Sequence, residues 1–269
     1  MIYHEDTELR DTILNEVIEK YCQDNTIKDG RWRFSDLGYP GLDGYCRKKC
    51  VWHHFGVPGK KDKNRLLTFA RGHLTEEKAL QVLSLSRPII PHPFDRIGGL
   101  TIKLKNGGKI GGRMDYLVYP NIVGEIKSVS ADAILKKPYD THICQLLLNM
   151  EALSVNLANK GIDETFITGE LAYFPEGREF NVKIFKIPYQ AGVISKLIDE
   201  AEFLQKIYGK CKVLIEKDGE NIKSVSLFDK KRKEIVPIIQ RDDNRSWPCV
   251  YHTKQKKITC EYYDICWPE

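Results

Sequence analysis

Gly112-Arg113-Met114-Asp115-Tyr116 and Gly124-Glu125-Ile126-Lys127-Ser128 hold the residues of this sequence best suited to chemistry. Both segments read as strands, with a short turn at Pro120-Asn121 between them. Side chains two apart on a strand share a face, so Glu125 and Lys127 point one way and Ile126 into the opposite layer. If the hairpin pairs in register, Asp115 meets Glu125 at one edge of the sheet. Two carboxylates held together repel, and a divalent cation relieves that repulsion. Oxygen ligation suits Mg²⁺ or Mn²⁺. A lysine alongside can orient water or stabilise developing negative charge, which fits the set to phosphodiester hydrolysis. Taken alone, a Glu-x-Lys edge strand reads equally as a solvated face.

Two further positions extend the set. His73 lies in a helix expected over 65–85, on one face with Leu66, Phe69, Ala70 and Leu80. It reads either as a core histidine or as a metal ligand, since neutral imidazole suits Mn²⁺. Gln145 shares a polar stripe with His142 and Asn149 on a helix expected over 141–158. Ile143, Leu146, Leu147, Met150, Leu153 and Leu157 form that helix's apolar face. The polar stripe is either a solvent boundary or the wall of a cleft above the hairpin.

The elements that must position these residues follow from periodicity. A helix is expected over 5–22, then a turn-rich stretch from Ser35 to Gly41. Strands are expected over 101–105 and 109–119 around an Asn106-Gly107-Gly108 turn, over 122–128, and near 165–174 and 180–187. A helix over 190–208, a charged strand-like region over 211–240 and a cysteine-bearing tail complete the chain. The mixture predicts an α/β fold with a central mixed sheet flanked by helices. The 269 residues divide into an N-terminal region (1–64), a core (65–210) and a C-terminal region (211–269).

Composition narrows the class. Hydrophobic residues at 42% and charged residues at 29% are those of a folded globular chain rather than a disordered one. No apolar run is long enough to span a membrane. The polar, acidic start reads against a secretory signal, so a cytoplasmic location is expected. The net charge of +5 is compatible with a polyanion partner, and equally with a small surface excess of lysine. Arg47, Lys48, Lys49, Lys60, Lys61, Lys63 and Arg65 could track phosphates, with Tyr45, Trp52 and Phe55 to stack bases. Each also reads as a Lys-rich loop beside core aromatics. No Gly-x4-Gly-Lys-Ser/Thr stretch occurs, which excludes a P-loop motor within this sequence.

Gly72-His73, Gly112-x-x-Asp115, Glu125-Ile126-Lys127 and Gln145 come in an order that resembles the RecB-like branch of the PD-(D/E)xK nucleases. The resemblance implies a restriction-endonuclease-like core. It also implies His73, Asp115, Glu125 and the Ile126 carbonyl as Mg²⁺ or Mn²⁺ ligands, Lys127 as the catalytic lysine, and Gln145 as a residue supporting site and DNA. The family often has Tyr four residues after the glutamine, where this sequence has Asn149.

The cysteines extend the likeness. In a reducing compartment, clustered cysteines more often bind metal than form disulfides. Tyr45-Cys46-Arg47-Lys48-Lys49 and Cys260-x5-Cys266 resemble the cluster-binding stretches of the "Cas-four" CRISPR-adaptation exonucleases and AddB-like nucleases. This likeness implies a [4Fe-4S] cluster on Cys46, Cys249, Cys260 and Cys266, clasping the two ends of the chain. Here the Cys249–Cys260 spacing is longer than the family's, and Cys50 competes with Cys46. A Zn²⁺ site on Cys249, His252, Cys260 and Cys266 is the alternative. The activity implied is metal-dependent exonucleolytic hydrolysis of DNA at single-stranded ends, with an integrase, helicase or recombination protein as possible partner and no membrane. A non-catalytic nucleic-acid-binding or assembly subunit with a zinc-stabilised tail, and a restriction-type endonuclease, are the competing readings.

Overall fold

The computed structural model describes residues 31–57, 59, 63–95, 99–119, 121–130, 135–162, 167–176, 182–219, 221–238, 250–252, 257–260, 262 and 266, with 12, 15 and 16. The expected helix over 5–22 falls outside these residues except at residues 12, 15 and 16, which are helical; Cys22 and Cys249 also fall outside.

Two sheets share the site. The larger contains β2 (Ile90–Pro91), β5 (Tyr116–Val118), β6 (Ile122–Ser130), β7 (Thr168–Glu176) and β8 (Lys183–Ile187), in the order β2-β5-β6-β7-β8. Only the β6–β7 pair in this sheet is parallel. A parallel pair needs a crossover, and α3 (Asp140–Ala158) supplies it. The smaller sheet joins β1 (Trp32–Arg33), β4 (Lys109–Gly112) and β3 (Leu100–Lys103) in the order β1-β4-β3. The expectation of an α/β fold with a central mixed sheet between helices holds.

Burial assigns the layers. α2 (Lys63–Ser86) sets Ala79, Leu80 and Leu83 against Tyr116, Ile126, Ala172 and Phe174 on one face of the larger sheet. α3 is buried through its middle, where Leu146, Leu147, Met150 and Leu153 meet Val123, Leu171 and Tyr173 on the other face. α4 (Ala191–Tyr208) adds Ile194, Leu197, Ala201, Leu204 and Tyr208 at helical spacing. α1 (Arg47–His54) brings Cys50, Val51 and Trp52 into the same core. Beyond α4, the expected strand-like region forms an antiparallel sheet of β9 (Cys211–Asp218), β10 (Asn221–Asp229) and β11 (Glu234–Val236). A last hairpin pairs β12 (Val250–His252) with β13 (Lys257–Thr259).

The structure corrects the strand expected over 109–119. It breaks at Arg113-Met114-Asp115, with β4 in the smaller sheet and β5 in the larger. At Gly112, the last residue before the break, a β-carbon would lie 2.4 Å from the Phe34 ring, so glycine is what lets that ring pack against the strand end. Gly124 is constrained in the same way by Tyr116, whose ring would lie 2.1 Å from an added β-carbon. The Tyr116 hydroxyl donates to Glu170 on β7 at 3.2 Å, and Arg87, just past α2, makes a two-pronged ion pair with the same buried carboxylate. α2 is thereby tied to the centre of the sheet. Among the described residues, no helix is long and apolar enough to cross a membrane.

Candidate active site

β5 and β6 pair with Tyr116 opposite Gly124, so Asp115, the last residue of the break, arrives beside Glu125. The Asp115 backbone N–H donates to the Gly124 carbonyl at 3.1 Å. Its carboxylate Oδ2 accepts the Ile126 N–H at 2.6 Å. Ile126 itself points into the α2 layer, as the alternation predicts.

Glu125 is 2% exposed and held from three directions. Lys127 Nζ donates to its Oε1 at 2.7 Å, Gln145 Nε2 donates to the same oxygen at 2.5 Å, and Asn149 Nδ2 donates to Oε2 at 3.2 Å. Lys127 Nζ also donates to Gln145 Oε1 at 3.0 Å. The polar stripe of α3 is therefore a wall of the site at Gln145 and Asn149. His142, one turn earlier, pairs its Nδ1 with the Tyr173 hydroxyl at 2.9 Å. Burial, with Lys127 nearby, lowers His142 to about 3, so its ring is neutral at physiological pH.

The site is short of positive charge. Burial and then Asp115 push Glu125 from 4.5 up to about 8. Burial and then Glu76 raise Asp115, and burial and then Glu125 raise Glu76. Burial alone would lower the Lys127 ammonium, but Glu125 and Asp115 beside it keep it above the ordinary lysine range. Three acids thus surround one lysine, and each acid resists ionisation. A divalent cation would remove that resistance, and the donors are the oxygens that Mg²⁺ and Mn²⁺ favour. Asn149 Oδ1 is a further oxygen at the site, buried and without a hydrogen-bond partner. The donor set therefore fits a hard cation. In the conformation described, Glu125 is turned onto Lys127 and Gln145, and among the described residues no three His, Cys, Asp or Glu side chains stand at metal-binding spacing. Gripping an ion requires Glu125 to exchange one of these donors for it.

His73 departs from expectation. Its side chain is 47% exposed and Phe69 is exposed with it, although both lie close to Leu80's face of the helix; the buried apolar residues described in α2 are Ala70 and then, in its second half, Ala79, Leu80 and Leu83. His73 Nδ1 lies 3.9 Å from Glu76. The helix residue that feels Asp115 and Glu125 directly is Glu76, which sequence reasoning missed. An acid on the same helix face three residues after Gly72-His73 was the available signal.

The proposed base-stacking aromatics need a similar correction. Tyr45 and Trp52 are core residues, at 7% and 3% exposure. Tyr45 donates its hydroxyl to Glu200 at 2.8 Å, and Arg47 pairs with both Glu200 oxygens at 2.6 and 2.7 Å. Arg47 is thus committed within the fold, beside an open cavity of about 400 Å³ that Lys196 and Phe203 also line. Its role there is holding α1 to α4. Lys60 and Lys61 lie outside the described residues.

At the cysteine site, Tyr262 is buried, donates its hydroxyl to the Val57 carbonyl at 3.0 Å, and meets the His53 ring edge-on at 5.4 Å between centroids. Cys260 and Cys266 are half-buried against the core that includes Cys50. Cys46 immediately precedes α1 and is half-buried, whereas Cys50 is fully buried. Burial, then Asp36 and Glu200, pushes the Cys50 thiol up, which disfavours the thiolate a metal needs.

The sequence matches no family model and no curated protein. Several solved structures are similar in chain path. The crystal structure of SSO0001 is 18% identical, with 73% of this chain and 87% of that chain covered and a TM-score of 0.47. An alkaline exonuclease from Laribacter hongkongensis, LHK-Exo, is 13% identical over 71% of this chain and 91% of that chain, with a TM-score of 0.44. The structure of LHK-Exo in complex with dAMP is 14% identical over 60% and 76%, with a TM-score of 0.43. At these values the similarities assign no residue of this chain a role.

Proposed function

We propose that this protein is a divalent-metal-dependent deoxyribonuclease of the RecB-like kind, acting exonucleolytically on single-stranded DNA ends. The observation that carries this reading is the meeting of Asp115, Glu125, Lys127 and Gln145 at one place, with more buried acid than the lysine can neutralise. A non-catalytic binding module has no use for a buried cluster so poorly compensated. The break between the two sheets, with acids on successive strands and a crossover helix over them, accords with the restriction-endonuclease-like core that the resemblance implies.

In this reading Asp115, Glu125 and the Ile126 carbonyl would hold the ion, with Glu76 contributing from α2 and His73 at the rim. The ion, Mg²⁺ or Mn²⁺, supplies Lewis-acid chemistry at the phosphate when bound. The chain's own residues do the rest. The Ile126 N–H fixes the orientation of Asp115. Gln145 holds the Lys127 ammonium in place, and that ammonium stabilises negative charge developing on phosphate oxygens or orients the attacking water. The neutral His142 beside it leaves the lysine as the local cation.

Cys46, Cys249, Cys260 and Cys266 are proposed to hold a [4Fe-4S] cluster, with Zn²⁺ as the competing occupant. The return of Tyr262 to Val57 and His53 supports a clasp between the chain's two ends. Cys46 is preferred to Cys50 because its thiol is less deeply buried.

The test is digestion of end-labelled single strands, labelled at either end, with and without Mn²⁺, beside a closed circular single strand. Linear strands are expected to be degraded only with metal, and the circle to survive. Cleavage of the circle would establish an endonuclease, and salt-sensitive binding without metal-dependent cutting would establish a binding subunit.

A further inference from the structure

His92 follows β2 with a φ of +44°, in the left-handed region that glycine occupies freely and that other residues seldom take. Its backbone N–H donates to the Asp115 carbonyl at 2.9 Å. That backbone role asks only for an N–H and this φ, and glycine would supply both without strain. What glycine would not supply is the imidazole. His92 Nε2 lies 3.8 Å from Glu76 Oε1, and Nδ1 lies 4.0 Å from Asp95 Oδ2. Asp95 in turn stands 3.9 Å from Arg113 Nε. One residue thus touches the backbone of one acid of the site and faces the side chain of another. An unfavourable backbone conformation at a non-glycine residue beside a site points to a use for its side chain.

We propose that His92 is a positioning residue of the hydrolytic centre, its imidazole setting the Glu76 carboxylate toward Asp115 and Glu125. This role rests on the metal-dependent reading of the site. Glu76 comes from α2, which packs on the face of the sheet opposite α3, and no described hydrogen bond fixes its carboxylate. The imidazoles of His92 and His73 face it, at 3.8 and 3.9 Å. Of the two, His92 is the one anchored to Asp115. A separation of 3.8 Å exceeds a direct hydrogen bond and is short enough for a small side-chain rotation to close it.

The test compares H92G, H92N, H92Q, E76Q and the double variant H92G/E76Q. Gly and Asn both accept the left-handed backbone, so they remove the imidazole without disturbing the chain, and Asn is too short to reach Glu76. Gln restores a side-chain N–H of greater reach. Mn²⁺ binding is followed directly in the DNA-free protein by the loss of its free-ion paramagnetic resonance signal, and cleavage rate is measured against Mn²⁺ concentration. H92G and H92N are expected to melt at or above the parent temperature yet need about 10-fold more Mn²⁺ for half-saturation. H92Q is expected to recover most of that loss, and H92G/E76Q to bind no worse than E76Q alone. The role is overturned if H92G and H92N bind Mn²⁺ as the parent does, or if the H92G penalty adds in full to that of E76Q. A parent that neither binds Mn²⁺ nor cuts DNA would overturn the nuclease reading itself, a result distinct from an active parent indifferent to His92.

Discussion

Asp115 accepts the backbone N–H of Ile126 through Oδ2 at 2.6 Å. The strand that carries one acid of the site therefore sets the orientation of the other. Asp115→Asn keeps an oxygen that can accept this bond and removes a buried charge, so it is expected to fold at least as stably as the parent in chelator. Cleavage in Mn²⁺ should fall by about 10³-fold, a loss of the size seen when a charge-stabilising group is removed. Thermal melts and end-labelled digestion check the two halves. Cleavage at parental rate would remove Asp115 from the site.

Lys127 and Gln145 should separate by magnitude. Lys127→Ala removes the local cation and is expected to abolish cleavage while leaving the protein folded. Gln145→Ala leaves the lysine but frees its ammonium, and is expected to cost about 10- to 100-fold. Single-turnover rates at saturating Mn²⁺ distinguish them. A Gln145 variant as inactive as the Lys127 variant would place the glutamine on the substrate rather than on the lysine.

The acids make metal-free stability depend on pH. The folded protein holds the Glu125 proton up to about 8, against 4.5 for the unconstrained group. Between those values the folded state binds more protons than the unfolded one, so stability falls as pH rises through that window. Melting in chelator is expected to be lower at pH 8 than at pH 5, and Glu125→Gln should flatten part of this slope. A parent and variant with the same slope would show that Glu125 ionises normally.

The pair between Arg87 and Glu170 is structural. Arg87→Met leaves a buried carboxylate without its cation and is expected to destabilise by about 3 kcal/mol. Arg87→Met with Glu170→Gln should recover part of that. Denaturant midpoints of the two variants check it, and equal midpoints would mean the carboxylate finds other relief.

At the chain's closing segment, Tyr262→Phe removes only the bond to the Val57 carbonyl and should cost about 1 kcal/mol, whereas Tyr262→Ala should cost about 3 to 5 kcal/mol. Cys260→Ser is expected to remove the visible absorbance and iron of protein purified without air, and Cys50→Ser to keep both. Colourless parent protein with one stoichiometric zinc would establish the zinc site instead.

Much of this was legible in the sequence. Alternation at Glu125-Ile126-Lys127 placed acid and lysine on one face, and the helix of Gln145 falls at the expected residues, because both rest on local periodicity. The break at Arg113-Met114-Asp115 was not legible, since Gly112 reads as one more strand residue and only the fold shows Phe34, far away in sequence, packed against it. His73 misled because periodicity gives a helix face but not how far along the helix its packing reaches: the residues packed on the sheet are Ala79, Leu80 and Leu83, about two turns later. Tyr45 and Trp52 misled because aromatics beside basic residues look alike in sequence whether they meet a ligand or, as here, a buried core.

The contiguity of Asp115, Glu125, Lys127 and Gln145 along the chain bears on how the protein is made. The β5–β6 hairpin and α3 follow one another, so these groups can gather on a growing polypeptide before β7 has been synthesised. His73, Glu76 and His92 precede them, and Tyr262 comes far later. On the ribosome, the hydrolytic groups would be gathered well before the tail closes over α1, leaving an interval in which the nascent chain has its acids in place and its ends still apart.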